Sequence, residues 1–291
     1  MVRRLACLVA VFIATSIASE TGSFAFRAHK LYEAGEYTGA MHMYTKALEA
    51  SAKEADLVGE NRIIIDISCL QKEAYYFAEA ESSLVALHAE AMSDNDKALA
   101  LKNRMEMYLL QNNAVAAFNA YQATNGSLGK ISDDLRGMLL LNAAVAATGS
   151  QDGSAKELLK KGENLLDGDA PGLVAWAKAN IAELEHASDA RQLFTQSLEL
   201  AQKTQHNWQA GQALLHLGKI ALEAGDKTGA AEYYLRAAKL YRGLFLDRPF
   251  ILAAEAYTGL VSNPDRSISA DYSAAKERLV APMRTDKANP K

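Results

Sequence analysis

The chain has 291 residues, 49% of them apolar and 23% charged, with a formal charge of −4. That length allows a substantial buried interior, and that charged fraction excludes wholesale disorder. The acidic balance excludes a general electrostatic grip on nucleic acid or on an anionic lipid surface.

Arg3 and Arg4 precede an apolar run from Leu5 to Ala14, and Ser16-Ile17-Ala18 supplies small residues at the spacing of a cleavage site. The pattern predicts a secretory signal peptide over residues 1–18. Its apolar core is shorter than the roughly 20 residues of a spanning helix. The expected location is therefore exported, periplasmic in the first instance and secreted as the alternative, with no stable membrane insertion after cleavage. Cleavage after Ala18 removes both arginines and no acidic residue, which takes the charge to −6. Cys7 leaves with the signal and Cys69 becomes the sole thiol, so no intramolecular disulfide can form.

All five prolines lie at Pro171 or beyond, and the alanine-rich first 170 residues contain none. Proline costs about 3 kcal/mol in a helix interior, so this distribution favours helix. Two stretches set the register: Glu33 to Ala40 (EAGEYTGA) and Glu223 to Ala230 (EAGDKTGA) share six of eight residues. Each reads as a bend between two helices. Gly35 or Gly225 takes the left-handed conformation that ends the first helix, Thr38 or Thr228 caps the second, and Ala40 or Ala230 lets the backbones approach.

Small residues opening a second helix recur at Ala40, Ala80, Ala117, Ala155, Ala190 and Ala230, with a mean spacing of 38. Each is followed four residues later by a larger side chain on the same helix face: Tyr44, Leu84, Tyr121, Leu159, Phe194 and Tyr234. The second pair, within 61–92, lacks a glycine in its bend. Its β-branched run Ile63-Ile64-Ile65 fits a helix better than a buried strand, because the flanks are helical. The third pair turns at Gln111-Asn112-Asn113, the fourth at Gly149 to Ser154, and the fifth opens at Gly168-Asp169-Ala170-Pro171. Thr124 to Lys130 connects the third and fourth pairs. Helices near 250–261 and 270–280 form a degenerate terminal pair that caps the array. The expected organisation is one helical repeat domain over 19–281 and a flexible tail over 282–291.

These residues resemble the tetratricopeptide repeat (TPR) family, in an extended variety with longer helices. The resemblance is strongest in Phe24, Ala28, Leu31, Gly35, Ala40, Tyr44 and Ala47, and in Leu214, Leu217, Gly218, Ala221, Gly225, Ala230, Tyr234 and Ala237. It implies an all-α fold, a right-handed α-solenoid of about six to seven antiparallel helix pairs, with a concave groove lined by exposed residues of each first helix. Mapped position by position, those are His29, Tyr32 and Glu33, then Arg62 and Lys72, Lys102 and Glu106, Arg136, and Lys219 and Glu223. The lysine/asparagine clamp by which some members hold a C-terminal carboxylate is not evident, since Ala25 and His29 occupy two of its places.

Motifs for chemistry are missing. Gly126 to Ser132 has glycines too close together for a phosphate loop, and Ile131 stands where a magnesium-binding hydroxyl belongs. The six histidines form no H-E-x-x-H. Cys69 has no local base signature, and Tyr44, Tyr108, Tyr121 and Tyr234 sit at core-facing positions. The expectation is a non-enzymatic protein with no metal or cofactor, scaffolding protein–protein contacts in envelope assembly or secretion through a protein or peptide in the groove. The alternative is a periplasmic binding protein for a peptide or cell-wall fragment in that groove.

Overall fold

The computed structural model describes residues 19–166 and 170–280. The expected signal peptide, Gly168, Asp169 and the tail from 282 lie outside them. The described residues form fourteen α-helices, one short 3₁₀ turn and no strand. In chain order they are α1 (Glu20–Glu33), α2 (Tyr37–Glu54), α3 (Leu57–Glu73), α4 (Phe77–Val85), α5 (Asp94–Leu110), α6 (Ala114–Asn125) and α7 (Asp133–Gly149). There follow α8 (Ala155–Leu166), α9 (Pro171–Leu184), α10 (Ala190–Lys203), α11 (Asn207–Glu223), α12 (Lys227–Gly243), α13 (Asp247–Thr258) and α14 (Arg266–Val280). Taken two at a time they make seven pairs, at the upper end of the expected number.

One bend device repeats. Within the first six pairs, a single residue adopts positive φ between the helices: Gly35, Tyr75, Asn112, Gln151, His186 and Gly225. The next N–H then reaches back to the carbonyl five residues earlier, as in Glu36 to Leu31 (2.8 Å), Tyr76 to Gln71 (2.8 Å) and Asp226 to Ala221 (2.9 Å). That bond, with the shorter one beside it, satisfies the last carbonyls of the first helix. Ala55, Gln205 and Phe245 do the same between successive pairs. The glycine role at Gly35 and Gly225 holds as expected. The capping role does not fall to threonine: Asp226 caps α12 by accepting from the Gly229 N–H at 2.8 Å, and Thr228 lies inside the first turn. Glu36 occupies the equivalent position before α2, with no side-chain cap bond. Asp56, Asn113 and Ser132 cap α3, α6 and α7 through their side chains, and Ser93 and Asp96 form a reciprocal capping box on α5. Pro171 opens α9, where its missing N–H costs nothing.

The chain divides into two units, residues 1–213 and 214–291. In the first, Ala28, Ala40, Tyr44, Ala47, Ile63, Ile67 and Leu70 form a core shared by α1, α2 and α3. The isoleucine run is helical, and Ile63, Ile64 and Ile65 are all buried because α3 is packed on several sides. A second core joins α5, α6 and α7 through Leu101, Met105, Ala117, Phe118, Tyr121 and Leu139. Helix α7 is buried at every position from Leu139 to Ala147, and Leu141 and Val145 pass contacts on to Leu166 and Ala177. In the fourth and fifth pairs the alanine follows the bend residue by four positions instead of five (Ala155 after Gln151, Ala190 after His186). Ala155 and Leu159 are only half-buried, whereas Ala190 and Phe194, with the same offset, are buried.

In the second unit, Tyr241, Phe250, Ile268 and Ala275 are buried on α12, α13 and α14. A Cβ on Gly218 would fall 2.6 Å from the Tyr234 ring, so only glycine allows that approach. Arg278 with Asp247, and Arg242 with Asp271, tie α14 to its neighbours at 2.6 and 2.7 Å.

Candidate functional site

Polar side chains of the first helices meet one repeat apart. Arg62 on α3 pairs with Asp96 on α5 at 3.2 Å. Asn103 on α5 donates to the Ile65 carbonyl and the Ser68 hydroxyl on α3, each at 3.0 Å. Lys72 on α3 reaches Glu106 on α5 at 2.5 Å, and Asn142 on α7 donates to the same carboxylate at 3.2 Å. Lys102, one turn before Glu106, supplies a second ammonium at 2.9 Å. Partners in this ladder lie 34 to 38 residues apart, which is the repeat length itself.

The described helices follow one another as a helical repeat of antiparallel pairs. No protein-family model matches the chain, and no curated protein matches it. A solved tetratricopeptide repeat protein from Parabacteroides merdae is similar over 88% of this chain and 98% of its own, at 11% identity and a TM-score of 0.44.

Around Lys72 the ladder becomes a buried network. The Glu73 carboxylate accepts from Tyr32 and Tyr37, each at 2.8 Å, and more weakly from the Cys69 thiol at 3.7 Å. From 135 residues further along, Trp208 at the start of α11 donates its indole N–H to the Glu73 carbonyl at 3.0 Å. The Lys72 ammonium lies 5.5 Å from the centre of the Trp208 ring. Beside it, the Tyr75 hydroxyl and the Gln212 amide are hydrogen-bonded. Lys72 is 2% exposed as a result. It does not line an open face, contrary to the expectation of exposure, because Trp208 covers it.

Burial disfavours charge throughout this network, and the pairing decides which groups keep theirs. Burial raises the Glu106 carboxyl, but Lys102 and Lys72 overcome it and hold it at about 2. Burial opposes the Lys72 ammonium, yet the groups around it, Cys69, Glu106 and Glu73, keep it above the ordinary lysine range. Burial pushes the Cys69 thiol to about 11, which leaves it protonated and unsuited to nucleophilic attack at neutral pH. Burial also lifts Tyr32 well above its usual range, with Glu73 adding to the effect.

The remaining nominated residues separate. His29 and Glu33 pair with each other at 3.2 Å, one turn apart on α1. Burial lowers the imidazole below its usual value although Glu33 raises it. Arg136 does not join Arg62, Lys72, Lys102 and Glu106. It lies in a cleft with residues of the second helices α6 and α8. Lys219 and Glu223 are exposed on the part of α11 that belongs to the second unit. The structure therefore brings Tyr32, Lys72, Lys102 and Glu106 into one network and adds Glu73, Tyr37, Asn142, Trp208, Tyr75 and Gln212. Among the described residues no group of three or more His, Cys, Asp or Glu could hold a metal ion, and no helix is long and apolar enough to cross a membrane.

Proposed function

We propose that this chain is an exported, non-enzymatic helical-repeat scaffold that holds a protein or peptide partner on its first-helix face, in envelope assembly or secretion. The observation that carries the reading is the ladder of ionic and amide pairs along α3, α5 and α7, whose Arg62 and Lys102 side chains remain part-exposed. Such groups can exchange an internal partner for a partner's acidic side chains or main chain through charge-assisted hydrogen bonds. The arginine pair and apolar run ahead of Ser19 support export.

Photocrosslinkers at Tyr32, Lys102 and Lys219 in cells test the interaction, with the exposed second-helix positions His42 and Glu49 as controls. The reading expects the same captured protein at the first-helix positions and little at the controls. Capture confined to His42 and Glu49 would overturn it. Export is tested separately, by finding whether the mature N-terminus is Ser19 in the periplasmic fraction.

A further inference from the structure

We propose that Trp208 and Tyr75 form a latch across the first-helix face: it opens and closes in the folded protein, and only when open does it give a partner access to Lys72 and Glu73. Both halves of the latch lie in the first unit. The gating, though not the opening, rests on the scaffold reading above.

The contact is made by side-chain ends. The Trp208 indole N–H reaches the Glu73 carbonyl at 3.0 Å, and its ring lies 5.5 Å from the Lys72 ammonium. The Tyr75 hydroxyl donates to the Gln212 Oε1 at 3.1 Å and accepts from its Nε2 at 2.8 Å. The large apolar side chains of α3 are turned to other helices, Ile63, Ile67 and Leu70 to α1 and α2, and Ile65 to Leu84 and Ala100. Hydrogen bonds and a cation–π contact are each modest in net terms, so a contact built from them opens while the cores stay closed. Trp208 and Tyr75 are themselves only half-buried. Helix α11 is also held from behind, where Gln209 donates to the Gly172 carbonyl of α9 at 2.9 Å. Opening therefore needs the two aromatic side chains to turn, and α11 stays where it is.

What the latch covers is charged. Lys72 is 2% exposed and Glu73 5%, whereas Arg62 and Lys102 on the same face remain part-exposed, so the cover is confined to the C-terminal end of α3. The bend beside it gives an independent sign. Tyr75 holds a φ of 63° at the place where Gly35 and Gly225 stand in the first and sixth pairs. A bulky aromatic is an outlier in that conformation, and the hydroxyl it brings to Gln212 is what glycine there would lack.

The test is native-state hydrogen exchange of the Trp208 indole N–H, followed by NMR in the full chain at low urea concentrations, with the Ile67 and Leu70 amides of α3 as the core reference. The indole N–H is expected to be protected relative to free indole, less protected than those amides, and nearly insensitive to urea, because opening the latch exposes little surface. Tyr75→Phe keeps the ring and loses only the hydroxyl, and should speed the exchange about three- to tenfold. An indole N–H with the protection and urea slope of the core amides would overturn the latch, since the contact then breaks only on unfolding. Exchange at the rate of free indole would overturn it too, as would an unchanged rate in Tyr75→Phe. Gating is read by a photocrosslinker at Tyr32: Trp208→Ala should raise capture there severalfold and leave capture at Lys219 unchanged. Equal or lower capture at Tyr32 would overturn the gating, and Tyr75→Phe serves the same comparison where Trp208→Ala does not fold. If the parent captures nothing at any position, the scaffold reading fails and the gating with it, while the exchange result still decides the latch.

Discussion

Glu106→Gln removes the carboxylate on which Lys72, Lys102 and Asn142 converge. Its carboxyl is held at about 2, against an ordinary value of 4.5. At about 1.4 kcal/mol per pH unit, that gap is worth roughly 3 kcal/mol. A second route gives a similar figure: breaking a buried ion pair by removing one partner costs about 3–5 kcal/mol. Lys72, at 2% exposure, is the charge stranded by the change. The loss is expected at pH 7 in urea unfolding followed by tryptophan fluorescence, since Trp176 and Trp208 both lie in the first unit. The sign with pH follows from the depressed folded value. The stabilisation is present above the unfolded value of 4.5 and disappears as pH falls through about 2. The variant and the parent should therefore converge in acid. Replacing the pair together, as Lys72→Met with Glu106→Leu, should recover much of the loss. A Glu106→Gln loss below about 1 kcal/mol at pH 7, the range of a solvated surface pair, would refute the argument.

Asp66→Asn addresses the opposite case. Burial lifts Asp66 to about 7 although the Tyr44 hydrogen bond and Arg62 pull it down, and Asp96 adds repulsion. Its stabilisation is full below the unfolded value of 3.8 and is lost as pH rises through about 7, so the variant should gain roughly 2–4 kcal/mol at pH 8 and nothing at pH 3. Parallel urea curves at the two pH values check this. Gly218→Ala drives a methyl group toward the Tyr234 ring and should lower the stability of the second unit by about 1–3 kcal/mol despite alanine's better helix propensity, as thermal melting would register. His186→Gly relieves a positive-φ residue and should stabilise by about 1 kcal/mol, whereas Gly225→Ala should cost a similar amount; a gain from the second would contradict the bend geometry.

The bends were legible where glycine marks them. Gly35 and Gly225 announce positive φ, and Asn112 and His186 belong to types enriched there, but Tyr75 and Gln151 reach it without any signature in their type. The ladder left a faint trace: Asn142 interrupts the apolar run from Leu139 to Ala147, 39 residues after Asn103. A repeat-length search for such polar interruptions would have found them. Lys72 was misread as exposed because nothing near it in sequence announces Trp208. Arg136 was misplaced for a different reason. Repeat position fixes which helix a residue is on, whereas its neighbours there, Tyr121, Leu158 and Lys161, come from α6 and α8, which pack on α7.

The bond from Trp208 to Glu73 also bears on how the first unit forms and comes apart. Arrays of stacked pairs have mostly local contacts and tend to unravel from an end, each pair answering only to its neighbours. A contact spanning 135 residues adds a tether across that order. Made in an unfolded chain, it would cost roughly 4 kcal/mol in loop-closure entropy, so it belongs after stacking. Once made, it discourages α9 and α10 from peeling away alone, because the turn that follows them is anchored to α3. The first unit should therefore unfold in one cooperative step, with the quantum yield of Trp208 the last signal to reach its native value on refolding.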